Sequence, residues 1–427
     1  MQLAHAAPKR YANRFDVEVV CGYGAMGTVY RAFDLATEEL VALKVLNAGE
    51  GAQVERFDQE ASLLAEMRHP GIVGYVDHGI TPEGERYLAM EWLEGETLED
   101  RLLNGALSLV ESVALARRAL DSLAVAHARG VVHRDIKPAN LFLKGRDLGN
   151  LKLLDFGIAR RVFERRRLTR AGSTLGTPMY MSPEQARGEP DIDIRSDIFS
   201  LGCVLFECLS GSPPFVGETP MAVLAKICLE DVLDIGDRIP GLPGSLESLL
   251  ARMLAKPRDL RPGDMVALLA EVAELEETYR ALGHTIPAPA PRPRKPTPSL
   301  TGEEHRSFSA VMVAARERTD TPLPPPPGQV RTPTLGLSDD ETAALVRRAL
   351  EPHGARIDRL YDGSLVVSLV GKGTPADLAA KAARSAVSLK RLLPAAAIAI
   401  STGRTDLRGQ LPIGQVLDVT ARLLADE

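Results

Sequence analysis

Aromatic residues are scarce: they make up 4% of the 427 residues, with one tryptophan, Trp92. Cysteine is scarcer still. Cys21, Cys203, Cys208 and Cys228 form no C-x-x-C pair, and the eight histidines do not cluster with them. That spacing fits reduced thiols in a cytoplasmic protein better than a disulfide framework or a Cys/His zinc site. Long hydrophobic runs are missing too. Nothing approaches the ~20 apolar residues of a membrane helix, and the start M-Q-L-A-H-A-A-P-K-R lacks the apolar core of a signal peptide. Positive charge has no excess: 51 Lys and Arg stand against 57 Asp and Glu, a net charge of -6. A general nucleic-acid binder would show a basic field, so that class is disfavoured. The expectation is a soluble, cytoplasmic protein with no membrane span and no nucleic-acid partner.

What is present is organised in blocks. The hydrophobic share of 45% and charged share of 25% are those of a globular chain, and the length allows two to four units of roughly 100–200 residues. Of the 30 prolines, 12 fall between His284 and Gly336. Stretches such as P-A-P-A-P-R-P-R-K-P-T-P favour extended, unpacked linkers. Within that linker, residues 308–315 read as a strand, a candidate first strand of the following domain.

Before the linker, F-D-V-E-V-V, G-T-V-Y-R-A and L-V-A-L-K-V-L alternate as a strand meander. Apolar residues from Val54 to Met67 recur at helical spacing, and most of Leu107 to Gly283 keeps that period. A small strand-rich part ahead of a large helical part predicts an α+β, two-lobed domain. After the linker, helical patterns over Asp339–Glu351 and Thr374–Leu393 alternate with strand patterns. Asp362-Gly363 lies between apolar runs and signals a hairpin.

The chemistry concentrates in the first block. In G-Y-G-A-M-G-T-V, Gly22, Gly24 and Gly27 sit between two strands, where backbone amides can approach phosphate oxygens. No helix follows, which argues against a dinucleotide fold. Lys44, inside the apolar strand V-A-L-K, needs a counter-charge or a ligand phosphate, and Glu60 on the next helix is the candidate partner. His133 to Asn140 read H-R-D-I-K-P-A-N, and L-L-D-F-G follows with Asp155.

Together these motifs resemble the protein kinase superfamily, specifically its bacterial, eukaryotic-like Ser/Thr branch, over residues 11–283. The resemblance implies a bilobal kinase fold and ATP-dependent transfer of phosphate to Ser/Thr hydroxyls of protein substrates. It implies Asp135 as the group that orients or deprotonates the acceptor hydroxyl. Lys137 would reach the transferred phosphate, and Lys44, set by Glu60, would hold the α- and β-phosphates. Asn140 and Asp155 would be hard oxygen ligands for Mg²⁺. Backbone groups of Glu91 and Leu93 would bind adenine, and Cys21 and Val29 would pack against the nucleotide. Cys21 departs from the family, which usually has an aliphatic residue there. Asp197 would hold the catalytic-loop backbone. Arg134 would receive a phosphate placed by autophosphorylation on Thr169, Ser173 or Thr174, with self-association as a route. An ATP-binding scaffold without transfer is the competing class, but such chains usually lack one of these residues.

The region 337–427 resembles, less fully, part of a class III nucleotide cyclase homology domain. Asp362 matches a metal-binding aspartate and Arg422 a transition-state arginine. Other positions depart: Ala314 and Ala315 stand where a second metal aspartate belongs, and Asp418 replaces an asparagine. One carboxylate cannot hold a two-metal site, which implies a degenerate, truncated module for regulation or association. A small unrelated α/β domain with a chance Asp-Gly turn is the alternative.

Overall fold

The computed structural model describes residues 10–23, 27–46, 61–155, 178–230, 235–239, 241–282, 307–314, 339–371, 374–394, 396–404 and 413–425. The chain forms two compact units. One gathers Met1–Phe163, Ile192–Pro213 and Leu233–Ala290; the other gathers Glu164–Asp191, Pro214–Val232 and Pro291–Glu427. One division falls inside the proline-rich stretch, between Ala290 and Pro291, and two segments upstream of it cluster with the C-terminal part.

In the first unit, β1 (Arg10–Tyr11), β2 (Phe15–Tyr23), β3 (Gly27–Asp34), β4 (Glu39–Leu46), β5 (Tyr75–Ile80) and β6 (Arg86–Glu91) build an antiparallel sheet. Its strand order is β1-β2-β3-β4-β6-β5. The first four strands follow the chain, as turn-separated alternation dictates, but β6 inserts between β4 and β5. One face closes over Tyr11, Phe15, Leu43, Val45 and Tyr87. Phe15 meets Tyr87 edge-on with centroids 5.4 Å apart, an arrangement worth about 1 kcal/mol beyond the area it buries.

A bidentate brace ties the sheet to its turns. Arg14 donates through Nε and Nη2 to the two oxygens of Asp34, at 2.6 and 2.7 Å, and through Nη1 to Asp77 at 2.7 Å. Asp34 also accepts from the Ala36 amide and the Thr37 hydroxyl, each at 3.0 Å, which shapes the β3–β4 turn. The fork of Arg14 chiefly holds the Asp34 carboxyl down at about 2.

The remainder of this unit is mostly helical. It holds α1 (Leu109–His127), α3 (Ile194–Ser210), α5 (Gly244–Met253) and α6 (Met265–Ala281); α2 (Pro183–Ala186) and α4 (Pro220–Leu229) belong to the second unit. Ser108 caps α1 through a reciprocal box with Glu111, so the helix starts where an exposed amide finds an oxygen. Gly211 ends α3 in the left-handed conformation at φ 78°. A small sheet of β7 (Gly95–Thr97), β8 (Leu141–Lys144) and β9 (Leu151–Leu153) flanks the segment that carries the chemistry.

The second unit contains α2 (Pro183–Ala186), α4 (Pro220–Leu229) and an antiparallel sheet in the order β11-β12-β10-β13. Its strands are β10 (Ser307–Val313), β11 (Arg356–Arg359), β12 (Leu365–Gly371) and β13 (Ile398–Arg404). Strand β10 lies inside the proline-rich stretch yet takes an interior place, paired in full register with β12 and β13. Helices α7 (Asp339–Leu350), α8 (Pro375–Leu392) and α9 (Ile413–Ala425) complete it. Val311, Val367, Leu369, Leu378 and Leu389 form its core. At the hairpin, Gly363 adopts φ 89° and returns its amide to Leu360 at 2.9 Å. No helix among the described residues is long and apolar enough to cross a membrane.

Candidate active site

The catalytic-loop candidates converge. Lys137 donates to Asp135 Oδ2 at 3.0 Å. Asn140 Nδ2 donates to the Asp135 carbonyl at 2.7 Å and to its Oδ2 at 3.0 Å. The amide is therefore oriented, with its nitrogen spent on Asp135 and its carbonyl oxygen left as the acceptor end. From the sheet, Lys44 on β4 reaches Asp155, just past β9, with Nζ 2.8 Å from Oδ1. Lys44 is buried at 6% exposure, so it requires this counter-charge. The lysine cation chiefly holds the Asp155 carboxyl below the usual carboxylate range. That pair therefore stays charged from neutral pH down through the ordinary aspartate range, and is lost only as pH falls through the depressed value.

Asp197, on α3 and fully buried, fixes the loop from below. It accepts from the amides of His133 at 2.8 Å and Arg134 at 2.7 Å, and contacts His127 Nε2 at 2.8 Å. These bonds hold Arg134 at φ 65°, a conformation that non-glycine residues rarely adopt. His133 supplies a second tie. Its Nε2 lies 2.9 Å from the Leu154 carbonyl, and its Nδ1 accepts from the Asp135 amide at 3.3 Å. Both contacts require the neutral ring protonated at Nε2, and burial lowers the imidazole's pKa accordingly. The loop bearing Asp135 and the strand end bearing Asp155 are thereby coupled through one imidazole. Asp155 itself sits at φ 44°. That strain is consistent with a residue held where its carboxylate is needed rather than where its backbone relaxes.

The other candidates separate into groups. Gly22 and Val29 pair across β2 and β3, and Val29 faces Lys44 across β3 and β4. A Cβ on Gly22 would meet nothing, whereas one on Gly27 would run into the Val45 carbonyl oxygen. The two glycines thus serve different needs: an open approach at Gly22, close strand packing at Gly27. Cys21 is exposed. Leu93 packs on the core that includes Leu88 and Met90. The Glu91 side chain accepts from the Gly74 amide at 2.7 Å and from Lys152, and its own amide donates to the Gly74 carbonyl at 2.8 Å. The Glu91 amide and carboxylate are therefore both engaged within the protein. Gly24, Glu60, Thr169, Ser173 and Thr174 lie outside the described residues.

Comparison with known proteins identifies the family. The family model described as protein kinase domain matches residues 15–272. The chain belongs to the protein kinase family. Residues of this kinase are 36% identical over 256 positions to the serine/threonine-protein kinase PknB of Mycobacterium leprae. They are 35% identical over 278 positions to that of Mycolicibacterium smegmatis. A third relative, a probable PknB kinase of Lactococcus lactis subsp. lactis, is 34% identical over 270 positions. These matches take in 58%, 63% and 62% of this chain and 41%, 44% and 42% of the respective relatives. The chain thus spans less than half the length of the curated relatives it matches. The antiparallel sheet followed by helices fits the bilobal kinase fold.

The residues that hold the site together were only partly legible. Asp197 stands out in sequence because it follows R-S ahead of an apolar helix. His133 and Leu154 carry no local sign of their bond, since a backbone carbonyl has no residue identity.

Proposed function

We propose that the chain is a protein-serine/threonine kinase that transfers the γ-phosphate of ATP to Ser/Thr hydroxyls of protein substrates. The observation that carries this reading is the single hydrogen-bonded cluster of Asp135, Lys137 and Asn140, with Lys44 and Asp155 paired beside it. Asp135 Oδ2 receives both the Lys137 ammonium and the Asn140 amide, so an acceptor hydroxyl would meet a carboxylate already fixed in position. Positioning of this kind matters because phosphoryl transfer needs alignment and charge neutralisation more than covalent catalysis. Lys44 would exchange part of its contact with Asp155 for the α- and β-phosphates, and Lys137 would neutralise charge on the transferred group. The open face of Gly22 and the side chains of Cys21 and Val29 would border the nucleotide, with Glu91 and Leu93 offering backbone groups to adenine.

The donor set suits Mg²⁺, since the Asn140 carbonyl oxygen and the Asp155 carboxylate are hard oxygen ligands. When bound, the ion would neutralise phosphate charge. Glu60 as the partner of Lys44, and autophosphorylation of Thr169, Ser173 or Thr174 read by Arg134, belong to the same proposal. Three buried free thiols, Cys203, Cys208 and Cys228, support a reducing, cytoplasmic setting. The region 337–427, with β10, is read as a degenerate cyclase-like module, with Ala314, just past β10, where a second metal aspartate would stand.

Labelled ATP and Mg²⁺ test the reading directly. Phosphoserine or phosphothreonine should form on a generic protein substrate and on the chain itself, and Asp135→Asn should lower the rate by at least about 100-fold. Nucleotide binding without any transfer by the wild-type chain would overturn it in favour of a scaffold.

A further inference from the structure

The second unit joins pieces that the sequence separates by more than a hundred residues. Three ion pairs of alternating sign cross from α4 and its flanking segments to the C-terminal part. Arg187 donates through Nε to Asp358 Oδ1 at 3.0 Å, and through Nη2 to the Cys228 carbonyl at 3.3 Å. Lys226, 7% exposed on α4, donates to Asp418 Oδ2 on α9 and to the Val216 carbonyl, both at 2.6 Å. Glu218 meets Arg422 Nε at 3.1 Å. The upstream face therefore presents Arg187, Lys226 and Glu218, and the C-terminal module answers with Asp358, Asp418 and Arg422.

Backbone contacts fit the same seam. The amide of Tyr361, at the hairpin, donates to the Ala186 carbonyl at 2.9 Å. This bond satisfies an acceptor at the end of α2 that has no partner within the helix. Gly188 sits at φ 67° with Tyr361 close enough to crowd any Cβ. The Glu230 carboxylate lies against Gly414 in the first turn of α9, where the helix dipole favours negative charge.

We propose that the C-terminal module is a built-in docking domain whose partner is the face formed by α4 and residues 183–191 of the same chain. A protein that needs this face must displace it. A buried lysine is the residue that argues most strongly, because Lys226 without Asp418 would leave an ammonium short of a counter-charge. The alternating charges also set register, since a shifted docking would oppose like charges. Asp418 and Arg422 are two of the positions compared in sequence with catalytic groups of the cyclase family. Here they are spent on α4, which gives the aspartate at 418 a physical reason. The docking stands on contacts alone; its consequence for substrates rests on the kinase reading.

Charge exchange in the full chain tests it. In Asp418→Lys, amides of residues 183–191 and 220–229 should exchange hydrogen about tenfold faster or more, the scale of a coupled charge pair. Adding Lys226→Glu should restore protection. The exposed pair gives a second cycle that leaves the buried lysine alone: Arg422→Glu should accelerate exchange and Glu218→Arg should reverse it. Unchanged exchange in both Asp418→Lys and Arg422→Glu, with far-UV circular dichroism unaltered, would overturn the docking. In parallel, Asp418→Lys should raise phosphorylation of a protein substrate such as casein while the rate on a short Ser peptide stays the same. Equal rates on casein before and after the change would overturn the consequence. Absence of transfer to either substrate would fault the kinase reading and leave the exchange result standing.

Discussion

Asp135 and Asp155 in the first unit, and Asp358 and Asp418 in the second, are all carboxylates set against cations, yet their surroundings differ. The Asp155 side chain is 49% exposed, whereas that of Asp358 is 6% exposed. Lys44 is buried in the first pair, but its exposed carboxylate partner can be hydrated or give way to another anion at small cost. A closed pair punishes removal of either member, because the survivor is left charged and desolvated. The Lys44–Asp155 pair is thus suited to yield to an arriving ligand, and the Arg187–Asp358 pair to hold two parts of the chain together.

Three substitutions sharpen this contrast, in order of expected effect. Asp197→Ala should be the most damaging, because it strips the His133 and Arg134 amides of their acceptor in a dry site. A loss of about 3–5 kcal/mol is expected, read as a lower denaturant midpoint with the slope preserved; a loss below 1 kcal/mol would mean that water replaces the carboxylate. Lys44→Met should cut phosphoryl transfer about 100-fold, equivalent to about 2.7 kcal/mol of barrier. Its thermal midpoint should move far less, since the exposed Asp155 can be hydrated. Destabilisation as large as that of Asp197→Ala would break the contrast between open and closed pairs.

Asp34→Asn should have the smallest effect, about 2 kcal/mol at neutral pH, from a carboxyl held at about 2 against an ordinary value of 3.8. Because the folded value lies below the unfolded one, this stability is present above the ordinary value and lost as pH falls through about 2. The variant and the wild type should therefore converge in denaturant midpoint as acid is added. Parallel curves down to that pH would assign the brace to something other than charge.

Legibility followed the same physics. The meeting of Asp135, Lys137 and Asn140 was readable because it is local: three side chains within six positions share one loop. For Lys44 the sequence pointed to Glu60, which lies outside the described residues; its contact with Asp155 joins two motifs whose pairing the sequence did not show. Likewise, Arg14 with Asp34 and Asp77, and Lys226 with Asp418, join ordinary charged residues across distances that leave no periodic trace. The insertion of β6 between β4 and β5 is a matter of pairing, which composition does not encode. Strand β10 was readable, yet its central place in a sheet depends on partners about sixty and ninety residues later.

Gly22 and Gly27 differ in what a substitution there would disclose. A side chain added at Gly22 would stand in open space and leave the sheet as it is, whereas any side chain at Gly27 must push the β4 backbone away. Substitution at the first glycine therefore reports on what approaches that face, and substitution at the second on the spacing of β3 and β4.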